Sequence, residues 1–239
     1  MNELKIIYED EDFAAINKPA GLLVHPALKT HEKTLVDWLV EKYPGVKNVG
    51  DLPELRPGIV HRLDKDTSGV LLIAKNQRAF EYLKLQFQNR KIKKKYIALV
   101  YGDVKPPGGA KSGVIELPIA KSKKDFRKRS VAGKLVGKTR DAITEYKIIE
   151  KFSKYTLLDV FPKTGRTHQI RVHFREIGHP IVCDKLYGFK NAFCPSELRQ
   201  HFLHANYLEF VLPNGSLARI EADLPFDLEN FLEGLRKGK

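Results

Sequence analysis

A strand-rich α+β fold is what this sequence of 239 residues predicts, and three observations carry that expectation. Short apolar runs rich in Val, Ile, Leu and aromatic residues recur along the chain, each bounded by Gly, Pro, Asn or Asp. A few windows instead place apolar residues at helical spacing. With 42% hydrophobic and 30% charged residues, the composition is that of a soluble globular domain, and no apolar run approaches the roughly 18 residues that span a bilayer.

Taken in order, Leu4–Tyr8 and Phe13–Ile16 read as two strands joined by an acidic turn, and Asn17–Pro26 as a loop punctuated by Gly and Pro. Leu35–Tyr43 is an amphipathic helix closed by Pro44, and Tyr43–Pro57 a loop. Gly69–Lys75 is a buried strand. Gln77–Gln88 carries Phe80, Leu83 and Phe87 on one face and reads as a helix. Strands dominate from Lys94 to Phe161, among them Tyr96–Tyr101, Ile115–Ile119 and Ala142–Ile149. Thr167–Ile177 is helical, with Thr167 as cap and Gly178 as stop. Strands return at Tyr207–Leu212 and Leu217–Glu221, and Asp227–Arg236 closes the chain as a helix. No internal repeat or low-complexity linker divides the chain, so 1–239 reads as a single catalytic domain with helices flanking its strands.

The net charge of +13 points to a polyanionic partner, nucleic acid before membrane, because no basic amphipathic helix stands out. The charge is concentrated. Between Lys121 and Arg140 lie Lys121, Lys123, Lys124, Arg127, Lys128, Arg129, Lys134, Lys138 and Arg140 against one acid, Asp125. Flanking strand character makes this a projecting basic hairpin, an insertion at about 120–140, with Gly133 and Gly137 as turn points. Its lysines, Lys123 and Lys128 among them, suit phosphates. A second basic run, Arg90–Lys95, leads into the strand that Tyr96 opens. The N-terminus has no apolar signal core, and Cys183 and Cys194 form no disulfide framework or zinc pattern. A cytoplasmic protein with reduced thiols is expected.

The stretch Gly58-Ile-Val-His-Arg-Leu-Asp-Lys-Asp-Thr-Ser-Gly69 is the first candidate for chemistry. It sets Asp64 beside Arg62 and Lys65 in a loop that runs into a buried strand, a common place for catalytic groups. Asp64 among cations is expected to be ionised, fit to act as a base, to attack an electrophilic carbon or to hold a metal. Asp66, in Asp-Thr-Ser-Gly, reads as a turn residue. Lys163–His173 is the second constellation: Gly165 turns the chain, and Arg166, His168 and Arg171 offer donors to phosphates or a carboxylate. His168 and His173 lack the i, i+4 spacing of a helical zinc pair, and no metal is expected. Tyr96 is either a core aromatic or a stacking surface for a nucleobase.

Together these blocks resemble the RluA-type family of RNA pseudouridine synthases. His61-Arg-Leu-Asp-Lys-Asp-Thr-Ser-Gly69 matches that family's catalytic-aspartate motif. Asn17-Lys-Pro-Ala-Gly21, Lys95-Tyr96, Gly165-Arg-Thr-His-Gln-Ile-Arg171, Gly178-His-Pro-Ile-Val-Cys-Asp184 and Leu203-His-Ala205 match its other segments in order. The resemblance runs from about residue 4 to residue 222. It implies a mixed, mostly antiparallel sheet with a catalytic cleft, and isomerisation of uridine to pseudouridine in ribosomal RNA of the large subunit or in transfer RNA, without cofactor or metal. The N-terminal S4 RNA-binding module of many relatives is expected to be absent, and the protein to be a monomer.

By the same resemblance Asp64 is the catalytic carboxylate, as nucleophile on C1′ or base on the 2′ proton. Arg171 is its partner, and Tyr96 lies against the uracil. Ile170 covers the other face of the base, and Arg62 fills the gap left by the flipped nucleotide. His61, Arg166 and His168 join Lys123 and Lys128 as RNA contacts. Other readings stay open: a non-catalytic RNA-binding or ribosome-assembly factor resting on the basic hairpin, a metal-dependent nuclease, or an N-glycoside hydrolase using Asp64 and Asp66.

Overall fold

The computed structural model describes residues 3–26, 32–123, 125, 127–131 and 135–238. In chain order the elements are β1 (Lys5–Glu9), β2 (Phe13–Lys18), α1 (Leu35–Lys42), β3 (Ser68–Ala74), α2 (Gln77–Gln88), β4 (Lys93–Tyr101), β5 (Ser112–Glu116), β6 (Ile119–Ser122), β7 (Arg129–Val131), β8 (Leu135–Arg140), β9 (Ile143–Lys151), β10 (Tyr155–Pro162), α3 (Gln169–Glu176), β11 (Leu203–Val211), β12 (Leu217–Glu221) and α4 (Phe226–Lys237). They gather into two compact units, residues 1–93 with 205–223, and residues 94–204 with 224–239.

In the first unit β1 pairs with β2, β2 with β3 and β11 with β12, all antiparallel. β3 is buried along its whole length, as its unbroken apolar run requires. Phe13, Leu72, Leu83 and Phe210 are fully or almost fully buried in one cluster with α2, each worth roughly 1.5–3 kcal/mol in burial. Gly69 has φ 116°, and a Cβ there would stand 2.2 Å from the Ala205 carbonyl oxygen, so only glycine fits this approach. Asn76 caps α2 by accepting a hydrogen bond from the Ala79 amide at 2.9 Å. Thr34 donates to Asp37 Oδ2 from its amide at 2.6 Å and its hydroxyl at 2.8 Å, fixing the start of α1.

In the second unit the strand order is β4-β10-β9-β5, each pair antiparallel. Val100, Leu158, Val160 and Phe174 build the core against α3. Leu99, Phe202, Leu228 and Leu232 build another that α4 covers.

Several expectations are corrected here. The run Ile115–Ile119 is broken at Leu117-Pro118 into β5 and β6, and the segment between Tyr43 and Pro57 contains a 3-10 turn at Pro44–Asn48. The basic stretch is an antiparallel β6–β7 pair with β8 added on the other side of β6, a three-stranded sheet in the order β7-β6-β8. Gly137, expected as a turn, lies inside β8 with φ 79°, where the register with β6 shifts. Gly133, Lys124 and Lys134 lie outside the described residues. α3 starts at Gln169 after a left-handed His168 (φ 57°), so Thr167 is not its cap. Cys183 and Cys194, expected as thiols, form a disulfide, because the fold brings their Cα atoms to 4.9 Å. Among the described residues no helix is long and apolar enough to cross a membrane.

Candidate active site

The loop that carries Asp64 is pinned at both ends to β3. Gly58 donates to the Val49 carbonyl and its own carbonyl accepts from Ala74, at 2.9 and 3.0 Å. With φ 68°, a Cβ on Gly58 would stand 2.6 Å from the Ala74 oxygen. His61 Nε2 accepts from the Leu72 amide at 2.9 Å, and its ring stacks on Phe87 at 4.6 Å. Leu63 is buried beneath the loop. The chain then turns, with the Thr67 amide donating to the Asp64 carbonyl at 3.1 Å. The result is a half-buried Asp64 between an exposed Arg62 and an exposed Lys65. Arg62 donates to His25 Nε2 at 2.9 Å, and burial first, then the charge of Arg62, lowers the pKa of His25.

Lys18, the last residue of β2, is completely buried under this loop. Its ammonium donates to the carbonyls of Pro19, Leu22 and Lys65 at 2.8, 3.0 and 3.0 Å. Three acceptors use all three ammonium protons. Burial pulls the Lys18 pKa down to about 7, while the charges of Asp66 and Asp64 oppose that shift. The Gly21 amide also donates to Lys65 O at 2.9 Å. Lys18 thus ties the Asn17–Gly21 loop to the peptide between Asp64 and Asp66. It was missed as a site residue because a lysine closing an apolar strand looks like a solvated end.

In the second unit, the turn from β10 into α3 is organised by Gln169. Its Oε1 accepts from the Thr164 hydroxyl at 2.6 Å and the Arg166 amide at 3.0 Å, and its Nε2 donates to Ile143 O at 2.9 Å. This side chain does the work expected of a Thr167 cap. Arg166 Nε donates to Asp141 O at 3.0 Å. Arg171, on the first turns of α3, is held by Asp184: Nε to Oδ2 at 2.7 Å and Nη2 to Oδ1 at 2.8 Å. Asp184 also accepts from the Leu186 and Tyr187 amides at 2.9 Å. Burial alone would raise its pKa; Arg171 above all, then His201 and the Tyr187 amide, outweigh burial and bring it down to about 2. The Arg171 guanidinium also lies 5.1 Å from the centre of the Tyr187 ring. Asp184 and Tyr187 were absent from the sequence-based set of site residues. The signal was there, since Asp184 closes the Gly178–Asp184 block.

Tyr96 is half-buried against the apolar cluster that contains the buried Ile170, so these two sequence candidates belong to one packed group. Lys94, two residues earlier, approaches the Gly165 turn: its Nζ is 3.8 Å from where a Cβ would sit. Desolvation lowers its pKa to about 8. The Tyr187 hydroxyl accepts from the Arg129 amide at 2.7 Å and lies 2.8 Å from His168 Nδ1. It therefore joins the start of α3 to β7. Ile119, Val131, Val172 and Tyr187 form the small core beneath the basic sheet. Within that sheet Asp125 is clamped by Arg127 Nε and Nη2 at 3.0 and 2.8 Å, and these bonds lower its pKa to about 2. Lys123 and Lys128 flank it. Asp64, His61 and Arg62 belong to the first unit; Tyr96, Ile170, Arg171, Arg166, His168, Lys123 and Lys128 belong to the second.

A family model described as RNA pseudouridylate synthase matches residues 12–176, a span that takes in Asp64, Tyr96 and Arg171. The chain belongs to this family. Its members are isomerases that convert uridine to pseudouridine in RNA, and the resemblance to the RluA-type branch holds. An uncharacterized RNA pseudouridine synthase of Aquifex aeolicus (strain VF5) is 48% identical over 82% of this chain and 59% of the relative. One of Bacillus subtilis (strain 168) is 39% identical over 98% of this chain and 74% of the relative. The ribosomal large subunit pseudouridine synthase D of Pseudomonas aeruginosa is 38% identical over 99% of this chain and 73% of the relative. The chain thus spans between 59% and 74% of the length of these relatives. Among solved structures, human RNA pseudouridylate synthase domain containing 4 is similar with TM-score 0.73 and 26% identity over 97% of this chain and 93% of that one. Human RNA pseudouridylate synthase domain containing 1 shares the fold, with TM-score 0.75 and 24% identity over 98% and 95% of the two chains.

Proposed function

We propose that this chain isomerises uridines to pseudouridine within RNA, and that Asp64 is the catalytic carboxylate. The observation that carries the reading is the Asp64 loop itself, buttressed from beneath by Lys18 in a chain that belongs to the pseudouridylate synthase family. The N1–C1′ bond of the target nucleoside breaks, the uracil turns over, and a C5–C1′ bond forms. The C5 proton leaves and N1 gains one, so nothing is oxidised or reduced. Asp64 either attacks C1′ or removes the 2′ proton. Arg171, whose guanidinium Asp184 holds, is assigned as the partner of that carboxylate on the family resemblance. Tyr96 and Ile170 hold the flipped base. Arg62 enters the space the base vacates, while Arg166, His168, Lys123 and Lys128 meet phosphates. His61 is taken up by the Leu72 amide and Phe87, and acts by fixing the loop.

The relatives named for the large ribosomal subunit make large-subunit ribosomal RNA the first substrate to try, with transfer RNA second. The protein acts as a cytoplasmic monomer without metal or cofactor. The test is release of tritium from C5-labelled uridine in transcribed ribosomal and transfer RNA, with chelator present. Tritium release with RNA mass unchanged supports the reading. Free uracil would indicate a hydrolase, cleaved RNA or chelator inactivation a nuclease, and binding without tritium release a non-catalytic factor.

A further inference from the structure

Beyond the Asp64 and Arg171 machinery, the loop Cys183–Cys194 has an outward side that nothing above employs. The disulfide closes its base, and Gly188 makes a tight turn whose amide donates to Asp184 O at 2.7 Å; a Cβ there would stand 2.5 Å from that oxygen. Held in this way, the loop exposes two large aromatic side chains, Phe189 at 42% and Phe193 at 74%. Both are backed by rigid structure. Phe189 leans on Tyr101, with ring centres 6.1 Å apart, and the Phe193 carbonyl accepts from the Tyr101 hydroxyl at 2.8 Å. Tyr101 packs at a tilt on the buried Tyr155, which meets Phe231 edge-on, so the aromatics rest on the cluster that α4 covers.

The charges beside these rings are positive. The Arg175 guanidinium lies 4.9 Å from the centre of the Phe189 ring. Lys185, Lys190 and Arg199 are exposed along the same segment, against one acid, Glu197. Exposed aromatics on a rigid base, interleaved with cations, are what unpaired nucleotides stack on. A protein partner would gain from the aromatics but would have to meet this local positive charge, whereas an RNA strand is complementary to both.

We propose that Phe189 and Phe193 form a stacking platform for unpaired nucleotides flanking the target uridine. The proposal rests on the reading that RNA is the substrate. Asp184 and Tyr187 of the same loop hold Arg171, so the platform and a site residue stand on one loop.

The experiment measures binding of the full chain to a fluorescein-labelled single-stranded oligouridylate and to a duplex RNA of equal length. Phe193→Ala removes an exposed ring, and Phe189→Leu keeps the packing on Tyr101 while removing the π face. Each is expected to weaken single-strand binding about fivefold or more and duplex binding less than about twofold. The salt dependence stays unchanged, whereas Lys190→Ala reduces its slope. Phe226→Ala, an exposed aromatic on α4, leaves both affinities unaltered. Unchanged single-strand affinity, equal loss on both RNAs, or a wild-type dimer that Phe193→Ala dissolves would overturn the proposal. If the wild type makes no pseudouridine yet binds single strands through these rings, the proposed function fails and the platform stands.

Discussion

The two loops that present the candidate catalytic residues are fixed by opposite means. The Asp64 loop rests on a buried cation, Lys18, whose hydrogen bonds go to three backbone carbonyls and which also feels the charges of Asp66 and Asp64. The Arg171 helix rests on a buried ion pair, with Asp184 fully buried and Arg171 nearly so. Burial outweighs the nearby carboxylate charges at Lys18, and its pKa falls to about 7. A full opposite charge holds its partner ionised, and Asp184 falls to about 2. One anchor is therefore sensitive near neutrality, and the other is insensitive until strong acid.

Breaking the ion pair is expected to have the larger effect. Asp184→Ala leaves the Arg171 charge buried without its carboxylate, and should cost about 3–5 kcal/mol in urea unfolding. Asp184 contributes stability above its unfolded pKa near 4, and that contribution is lost as pH falls towards about 2. Asp184→Asn at pH 7 should therefore resemble the wild type at very low pH more than the wild type at pH 7. An alanine variant as stable as the wild type would show that Asp184 is not an anchor.

Next comes the disulfide, which fixes the loop around Asp184. With 11 residues of separation between Cys183 and Cys194, the chain-entropy account gives about 3 kcal/mol for its closure. Cys183→Ser should lower the melting temperature by several degrees, and reductant should do the same to the wild type but not to the variant. Equal effects of reductant on both proteins would contradict this.

The Lys18 anchor gives a smaller effect that depends on pH. A depressed lysine pKa means that the unfolded chain binds more protons between about 7 and 10.5, so stability from this group rises as pH increases through that window. Relative to Lys18→Met, the wild type should gain about 2 kcal/mol between pH 7 and pH 9. A difference independent of pH would mean that Lys18 titrates normally.

Much of this was legible in the residues. Gln77–Gln88 follows from Phe80, Leu83 and Phe87 at helical spacing, and β12 was read as a strand with the bounds the structure gives it, Leu217–Glu221. What escaped depends on partners distant in sequence. β6 pairs with β7 on one side and β8 on the other, which no local pattern specifies. Gln169 reaches back to Thr164 and across to Ile143, displacing the helix start. The cysteine spacing did not reveal that the fold brings the pair within bonding reach. In the site, Asp64 and Arg171 stood out by motif; Lys18 and Asp184 also sit in matched blocks, but what each does there is visible only in what it touches.

The central claim is that Asp64 performs the chemistry on a loop that Lys18 holds in place. Asp64→Asn changes one oxygen for an amide without altering the side chain's size. Tritium release from C5-labelled uridine in ribosomal RNA and RNA affinity should be measured on the same preparation. The account predicts that tritium release is abolished while affinity stays within about threefold of the wild type, since the cations proposed to meet phosphates are untouched. Tritium release at the wild-type rate, or loss of binding together with activity, would contradict it.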